Sequence, residues 1–368
     1  MLEKIAISII IPLFNKENFI RKSLDSLIKQ KNFSNYEIII VDDASTDNSI
    51  NLIKKYNLKN LKILSLKNNF GPSAARNIGL KNANGKYVYF LDADDSISEK
   101  ALSTLYQVAE DTKCNYVFSD FKKFENNKNL RKQIYNYSKN RLFRKNEIKS
   151  AMIEELHNPS LGHLGLFGCN GRLIRRKILK EKIIFFNEKL RWMEDKTFSW
   201  KVLSCIKEAR YIHKQLYNYY YYPKISTGVT SGFQKNASLF YIRLIVQQIE
   251  NSLKKFSLAS IQIVKLKQQA LIFFSIQALV TISNQIFLKK IKKKTGKKIR
   301  KKLINNILQD KEITKSIKNY SCSNEESELI PKAIYLRSTK LLEKACDLRA
   351  KKIAMQRRGV YKMLVSKF

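Results

Sequence analysis

Within the first 120 residues, short apolar runs alternate with amphipathic stretches, and this alternation leaves the chain few architectures. Residues 5–11, 37–41, 61–66, 86–91 and 116–120 are β-branched or aromatic runs of strand length. Between them lie helical patterns over 18–30, from a cap near Thr46 and Asp47 through Ile50 and Ile53, over 73–82 and over 97–111. Ser96 with Glu99 has the form of a capping box for the last helix. Nearly uniform apolar strands need cover on both faces, so the expected class is α/β, a mostly parallel sheet flanked by helices. Such sheets bind ligands beyond the carboxyl ends of their strands, where the polar clusters of this chain fall.

The fourth strand runs straight into Leu91-Asp92-Ala93-Asp94-Asp95. Three carboxylates this close repel one another unless a cation, a proton or a ligand compensates them, which suits a hard, oxygen-preferring ion such as Mg2+ or Mn2+. After the second strand comes Asp42-Asp43-Ala44-Ser45-Thr46-Asp47. A helix cap accounts for Thr46 and Asp47 but not for two further acids, and Asp43 could instead accept the N–H of a pyrimidine base or a ribose hydroxyl. The loop Pro12-Leu13-Phe14-Asn15 after the first strand has no glycine, and neither G-x-G-x-x-G nor a P-loop occurs in a chain with 11 Gly. Phosphates are therefore expected on a metal rather than in a glycine cradle. Arg76, among the small residues of Ser73-Ala74-Ala75-Arg76-Asn77, is a cation near the same edge or a plain surface arginine. A phosphatase that uses D-x-D for nucleophile and acid is disfavoured, because its motif belongs on the first strand.

The formal charge of +39 calls for an anionic partner, whether nucleic acid, a membrane surface or a phosphorylated substrate. Nucleic acid fits poorly, since five aspartates at one sheet edge repel phosphates and no binding motif is apparent. Three histidines and five scattered cysteines without C-x-x-C spacing argue against zinc and for free thiols in a reducing compartment. Residues 1–4 lack the basic flank of a secretory signal, so the first apolar run is expected to be a strand.

Taken in order, Ser8-Ile9-Ile10-Ile11-Pro12-Leu13-Phe14-Asn15, Val41-Asp42-Asp43-Ala44-Ser45-Thr46-Asp47, Ala74-Ala75-Arg76-Asn77-Ile78-Gly79 and Leu91-Asp92-Ala93-Asp94-Asp95 resemble the successive motifs of family 2 glycosyltransferases of the bacterial surface-glycan type. The resemblance implies a GT-A fold and an inverting transfer of a hexosyl or N-acetylhexosaminyl unit. Its donor would be a nucleotide-diphosphate sugar, in the first instance UDP-linked, and its metal Mg2+ or Mn2+. On this mapping Pro12 and Phe14 border the nucleobase and Asp43, with Asp42 beside it, binds the base. Arg76 lies near base or phosphate, Asp92 touches ribose or metal, and Asp94 is the metal ligand. Residues 168–176 resemble the acceptor-side segment, with Cys169 where an aromatic is common. Leu190-Arg191-Trp192-Met193-Glu194-Asp195 resembles the Glu-Asp motif, in which Asp195 is the general base beside Glu194; otherwise these acids are an ordinary helix start. Lys224 and Ser226, after an aromatic run, resemble the segment that closes on the donor pyrophosphate.

These motifs place a catalytic domain at 1–232, with 1–120 for the nucleotide sugar and 121–232 for the acceptor, followed by a smaller all-helical domain at 233–368. The uncharged stretch 268–288 is long enough to span a bilayer, yet Gln268, Gln269, Ser275, Gln277, Thr281, Ser283, Asn284 and Gln285 interrupt it, so a buried or interfacial helix is expected. Ten basic residues and no acid fall between Lys289 and Lys302, and Arg349 to Lys352 with Arg357-Arg358 add a second basic stretch. The expected partners are the sugar donor, a glycan or lipid-linked acceptor with a free hydroxyl, and an anionic membrane surface. Self-association stays open, and the expected location is cytoplasmic, peripheral on the inner face of the cell membrane.

Overall fold

The computed structural model describes residues 5–56, 58, 60–125, 128–133, 137–157, 164–222, 238–322 and 327–357. The chain divides into two compact units, Met1–Met152 with Leu161–Thr227, and Ile153–Ser160 with Gly228–Phe368.

The first unit is built on one sheet. Its strands are β1 (Ile7–Leu13), β2 (Tyr36–Asp42), β3 (Leu61–Ser65), β4 (Tyr87–Phe90), β5 (Ser96–Ile97), β6 (Tyr116–Glu125), β7 (Lys128–Gln133), β8 (Arg141–Arg144), β9 (Arg172–Arg175) and β10 (Glu208–Tyr221). They run in the order β3-β2-β1-β4-β9-β6-β10-β5, with β7 beside β6 and β8 beside β10. The segment β3-β2-β1-β4 is parallel throughout, and β6 is parallel to β10. Its inner strands are sealed on both faces: Ile7, Ile9, Ile10, Ile11, Ile38, Ile39, Ile40 and Val88 have no accessible surface. That explains runs without polar alternation.

Helices α1 (Ile20–Ile28), α2 (Ser49–Lys54), α3 (Pro72–Asn82) and α4 (Ala101–Thr112) follow the first four long strands. Helix α3 lies directly on β1, because a Cβ at Gly79 would come within 2.4 Å of the Ile10 side chain. The start of α4 differs from the sequence expectation. Ser96 and Ile97 form β5 and pair antiparallel with Asn218 and Tyr217, and Glu99 ion-pairs with Lys31 rather than capping a helix. Pairing with a strand some 120 residues away outweighs a local cap worth about 1 kcal/mol.

In the second unit, helix Ser260–Phe287 is long and apolar enough to cross a membrane by length and composition, and 72% of its most apolar window is buried within the protein. It packs against helices Leu239–Leu253, Lys293–Gln309 and Thr339–Arg357. Three of the polar residues that interrupt it have protein partners. Gln269 donates from Nε2 to the Ser321 carbonyl at 2.9 Å, Ser275 donates to the Leu271 carbonyl at 2.7 Å, and Ser283 accepts from the buried Arg300 guanidinium at 3.0 Å. Helix Lys293–Gln309 buries Gly296, Arg300, Leu303, Ile304 and Ile307 and exposes Lys293, Lys294, Lys297, Lys298, Lys301 and Lys302.

Candidate active site

Strand register gathers the acid clusters. Leu13 at the end of β1 is level with Asp42 at the end of β2, and Ile10 is level with Phe90 at the end of β4. The loops after these strands therefore open on one edge. Two of them are stitched together: the Asn15 N–H donates to Ser45 Oγ at 3.0 Å, the Lys16 N–H to Ser49 Oγ at 2.8 Å, and the Glu17 N–H to Asp47 Oδ2 at 2.9 Å. Pro12 is half-buried at the end of β1, while Phe14 stands 43% exposed beside it.

Asp42 and Asp43 are both buried. Asp42 accepts the Ser45 N–H at 3.0 Å and so shapes the turn. The two carboxylate oxygens of Asp43 accept the N–H groups of Phe70 and Gly71 at 2.7 and 2.6 Å, anchoring the loop that leads into α3. Gly71 has φ 89° and faces the Arg191 guanidinium so closely that any Cβ would overlap it. Gly71→Ala should consequently destabilise the first unit by about 1–3 kcal/mol, read as a lowered urea midpoint, because both the backbone conformation and the Arg191 contact are lost.

Helix α3 buries Arg76 and aims it at two acids more than a hundred residues apart in sequence. Arg76 Nη2 donates to Asp92 Oδ1 at 2.9 Å, and Nη1 lies 3.6 Å from Glu194 Oε1. Asn77, next along the helix, donates to Glu188 Oε1 at 2.8 Å and to the Phe186 carbonyl at 3.0 Å, and accepts the Phe186 N–H at 2.8 Å. It thereby fixes the segment that leads to α8 (Glu194–Cys205). Strand β9 runs antiparallel between β4 and β6, which brings Asn170 beside Phe90, and Asn170 Nδ2 donates to Asp92 Oδ2 at 2.6 Å. Cys169 is buried just before it, and burial pushes its thiol well up.

The remaining acids are held differently. Asp94 pairs with Lys16 Nζ at 2.5 Å. Asp95, to which the sequence assigned no role, is buried and accepts the Tyr217 hydroxyl at 2.5 Å and the Tyr220 N–H at 2.9 Å, tying β10 to this edge. Burial, then Asp94 and Asp92, raise its carboxyl well above the usual carboxylate range. Carboxylate oxygens of Asp92, Asp94 and Asp95 all lie within 4.8 Å of one another. This all-oxygen donor set, with an ammonium already standing against Asp94, fits a hard divalent cation.

At the start of α8, Met193 takes a left-handed conformation (φ 59°) and α8 begins with Glu194 buried and Asp195 half-buried. Asp195 Oδ1 accepts the Lys196 N–H at 2.7 Å. Burial, then the adjoining Asp195 carboxylate, push the Glu194 carboxyl from 4.5 up to about 7, with Arg76 opposing. A carboxyl raised in the folded state stabilises it below its unfolded value, and that contribution is lost as pH rises through about 7. Glu194→Gln removes this titration, so the stability difference should shift in favour of the variant as pH rises from about 5 to 8, measured by denaturant midpoints.

Asp42, Asp43, Arg76, Asp92, Asp94, Glu194 and Asp195 thus belong to one unit, with Pro12 inside the end of β1, rather than on the loop expected after it, and Phe14 on that loop; Lys224 and Ser226 lie outside the described residues. Sequence patterns did not single out Lys16 or Tyr217, and they placed Asn170 only within the acceptor-side segment 168–176. One lysine among 70 basic residues carries no motif, and the other two become site residues only through β9 and β10.

Residues 8–181 match the model of the family described as Glycosyl transferase family 2. Among curated proteins, the chain is 31% identical over 215 residues to Glycosyltransferase GlyA of Streptococcus pneumoniae serotype 4, covering 58% of this chain and 30% of that one. It is 30% identical over 222 residues to the Poly(ribitol-phosphate) beta-glucosyltransferase of Bacillus spizizenii, covering 59% of this chain and 32% of that one. The chain therefore spans about a third of the length of these relatives. Among solved structures, the crystal structure of S. aureus TarS 1-349 in complex with UDP-GlcNAc has the same fold, with a TM-score of 0.66 and 20% identity over 96% of this chain and 92% of that one.

Proposed function

Because this chain carries a family 2 glycosyltransferase domain over residues 8–181, we propose that it transfers a sugar, with inversion, from a nucleotide-diphosphate donor to a hydroxyl of a cell-surface glycan or lipid-linked acceptor. The observation that carries this reading is the Arg76 bridge. One buried cation sits between Asp92, on the edge expected to hold the donor, and Glu194, at the helix start expected to hold the base. UDP is the proposed nucleotide and a surface polymer the proposed acceptor class, supported by one relative being a poly(ribitol-phosphate) glucosyltransferase and by the similar TarS having been crystallised with UDP-GlcNAc.

In the proposed chemistry, Asp43 and Phe14 receive the base and Asp94 with Asp92 would hold Mg2+ or Mn2+. When bound, that ion would neutralise charge growing on the leaving diphosphate. Asp195, half-buried at the helix start, takes the proton of the attacking hydroxyl. Glu194, whose carboxyl burial and the adjoining Asp195 raise to about 7 against the pull of Arg76, lies beside Asp195 at the same helix start. Lys224 and Ser226 are proposed to close over the pyrophosphate. Catalysis is assigned to 1–232, with 121–232 on the acceptor side. The helical part, 233–368, is proposed to attach peripherally to the cytoplasmic face of the membrane, each lysine of Lys293–Gln309 near anionic lipid adding about 1 kcal/mol.

The test is a panel of nucleotide sugars incubated with the full chain and Mn2+ or Mg2+, with release of nucleoside diphosphate as the readout. Turnover of a UDP-sugar that EDTA abolishes and Mn2+ restores supports the reading; no turnover or binding of any nucleotide sugar sinks it.

A further inference from the structure

We infer that Lys16 is the resting counter-ion of Asp94, a side chain that a divalent cation must displace and that the donor's diphosphate then receives. The inference rests on the reading above that Asp94 is a metal ligand.

The three clustered acids are compensated in different ways. Asp92 is fixed by a buried guanidinium and by Asn170. Asp95 is buried and fixed by the Tyr217 hydroxyl and the Tyr220 N–H. Asp94 is partly open, at 30% side-chain exposure, and its ion-pair partner is the ammonium of Lys16, itself 23% exposed. The Lys16 backbone is immobilised, since its N–H is bonded to Ser49 Oγ and its neighbours Asn15 and Glu17 are bonded to Ser45 and Asp47. Its four-carbon stem is not, apart from the approach of Nζ to the Phe19 ring, 5.6 Å from the centroid. A lysine ammonium is a compact point charge on a flexible stem, which suits a pairing that must be made and broken.

Consequences for binding follow from charge. A lone divalent cation approaching Asp94 meets a positive group already 2.5 Å from the carboxylate, so it must break that pair and leave the ammonium without a partner. A cation arriving with a nucleoside diphosphate brings anionic oxygens to the same strand edge, from which the Lys16 loop itself departs, and the released ammonium can pair with them. Metal and nucleotide should therefore bind with strong mutual enhancement, and Lys16 should discourage the site from filling with metal alone.

The experiment measures Mn2+ affinity of the full chain by electron paramagnetic resonance and calorimetry, with and without UDP. Lys16→Met keeps the stem and removes the charge. It should bind Mn2+ alone about fivefold more tightly than the wild type, as expected from losing a partly exposed ion pair, and the enhancement by UDP should shrink by a similar factor. Lys16→Arg keeps the charge and should retain the weak metal-only affinity. Unchanged or weaker Mn2+ binding by Lys16→Met with full UDP enhancement overturns the inference, as does an arginine variant that behaves like the methionine one. If Lys16→Met does not fold, judged by circular dichroism, Lys16→Gln takes its place. Asp94→Asn separates the two levels: equal Mn2+–UDP binding by wild type and Asp94→Asn removes the metal site itself, whereas its loss in Asp94→Asn with no effect at Lys16 removes only the inference.

Discussion

Asp195→Asn should lower transfer by about 10²–10⁴-fold, the usual contribution of a positioned general base, while leaving donor binding unchanged. The substitution is nearly isosteric, and an asparagine Oδ1 can still accept the Lys196 N–H that Asp195 accepts at 2.7 Å, so the start of α8 should survive. Glu194 and Arg76 would keep their 3.6 Å pairing. Donor affinity by calorimetry and sugar transfer by mass spectrometry of the product separate the two effects. Transfer at a near-native rate would remove Asp195 from the role of base.

The second large effect is expected at Arg76. Its guanidinium is buried, with Asp92 at 2.9 Å and Glu194 at 3.6 Å, so Arg76→Met leaves a buried acid at Glu194 and a half-buried one at Asp92 without their cation. Breaking a buried pair by removing one partner costs about 3–5 kcal/mol. Transfer should also fall at least about a hundredfold, as when a preorganised electrostatic group is lost from an active site. Part of the stability loss should be recovered in Arg76→Met/Glu194→Gln, since the amide needs no counter-charge, but donor binding should not be, because Asp92 remains misplaced. Recovery of both in the double variant would make Arg76 a fold residue alone.

Much of this site was legible before the fold was known. Asp42, Asp43, Asp92 and Asp94 stand at strand ends that hydrophobic periodicity locates, and parallel pairing then places those ends on one edge. Arg76, which the sequence leaves as either a site cation or a surface arginine, is buried, because Gly79 lets α3 sink onto β1 and carries Arg76 inward. Ser96 and Glu99 misled, since a capping pattern is local and β10 is not. Asp43 carries more of the fold than its place in a motif suggests, its oxygens holding the backbone of Phe70 and Gly71.

The amino-acid sequence by itself determined the alternation of strands and helices, the edge on which the acids collect, and the ordered motifs that resemble those of family 2 glycosyltransferases, because each is written in neighbouring residues. Only the tertiary structure decided how the charges are paired. Lys16 reaches Asp94 across 78 positions, Tyr217 reaches Asp95 across 122, and Arg76 reaches Asp92 across 16 and Glu194 across 118. Coulomb and hydrogen-bond energies depend on separation in space, and that separation is fixed by where β9, β10 and α8 pack, which no local pattern of side chains encodes.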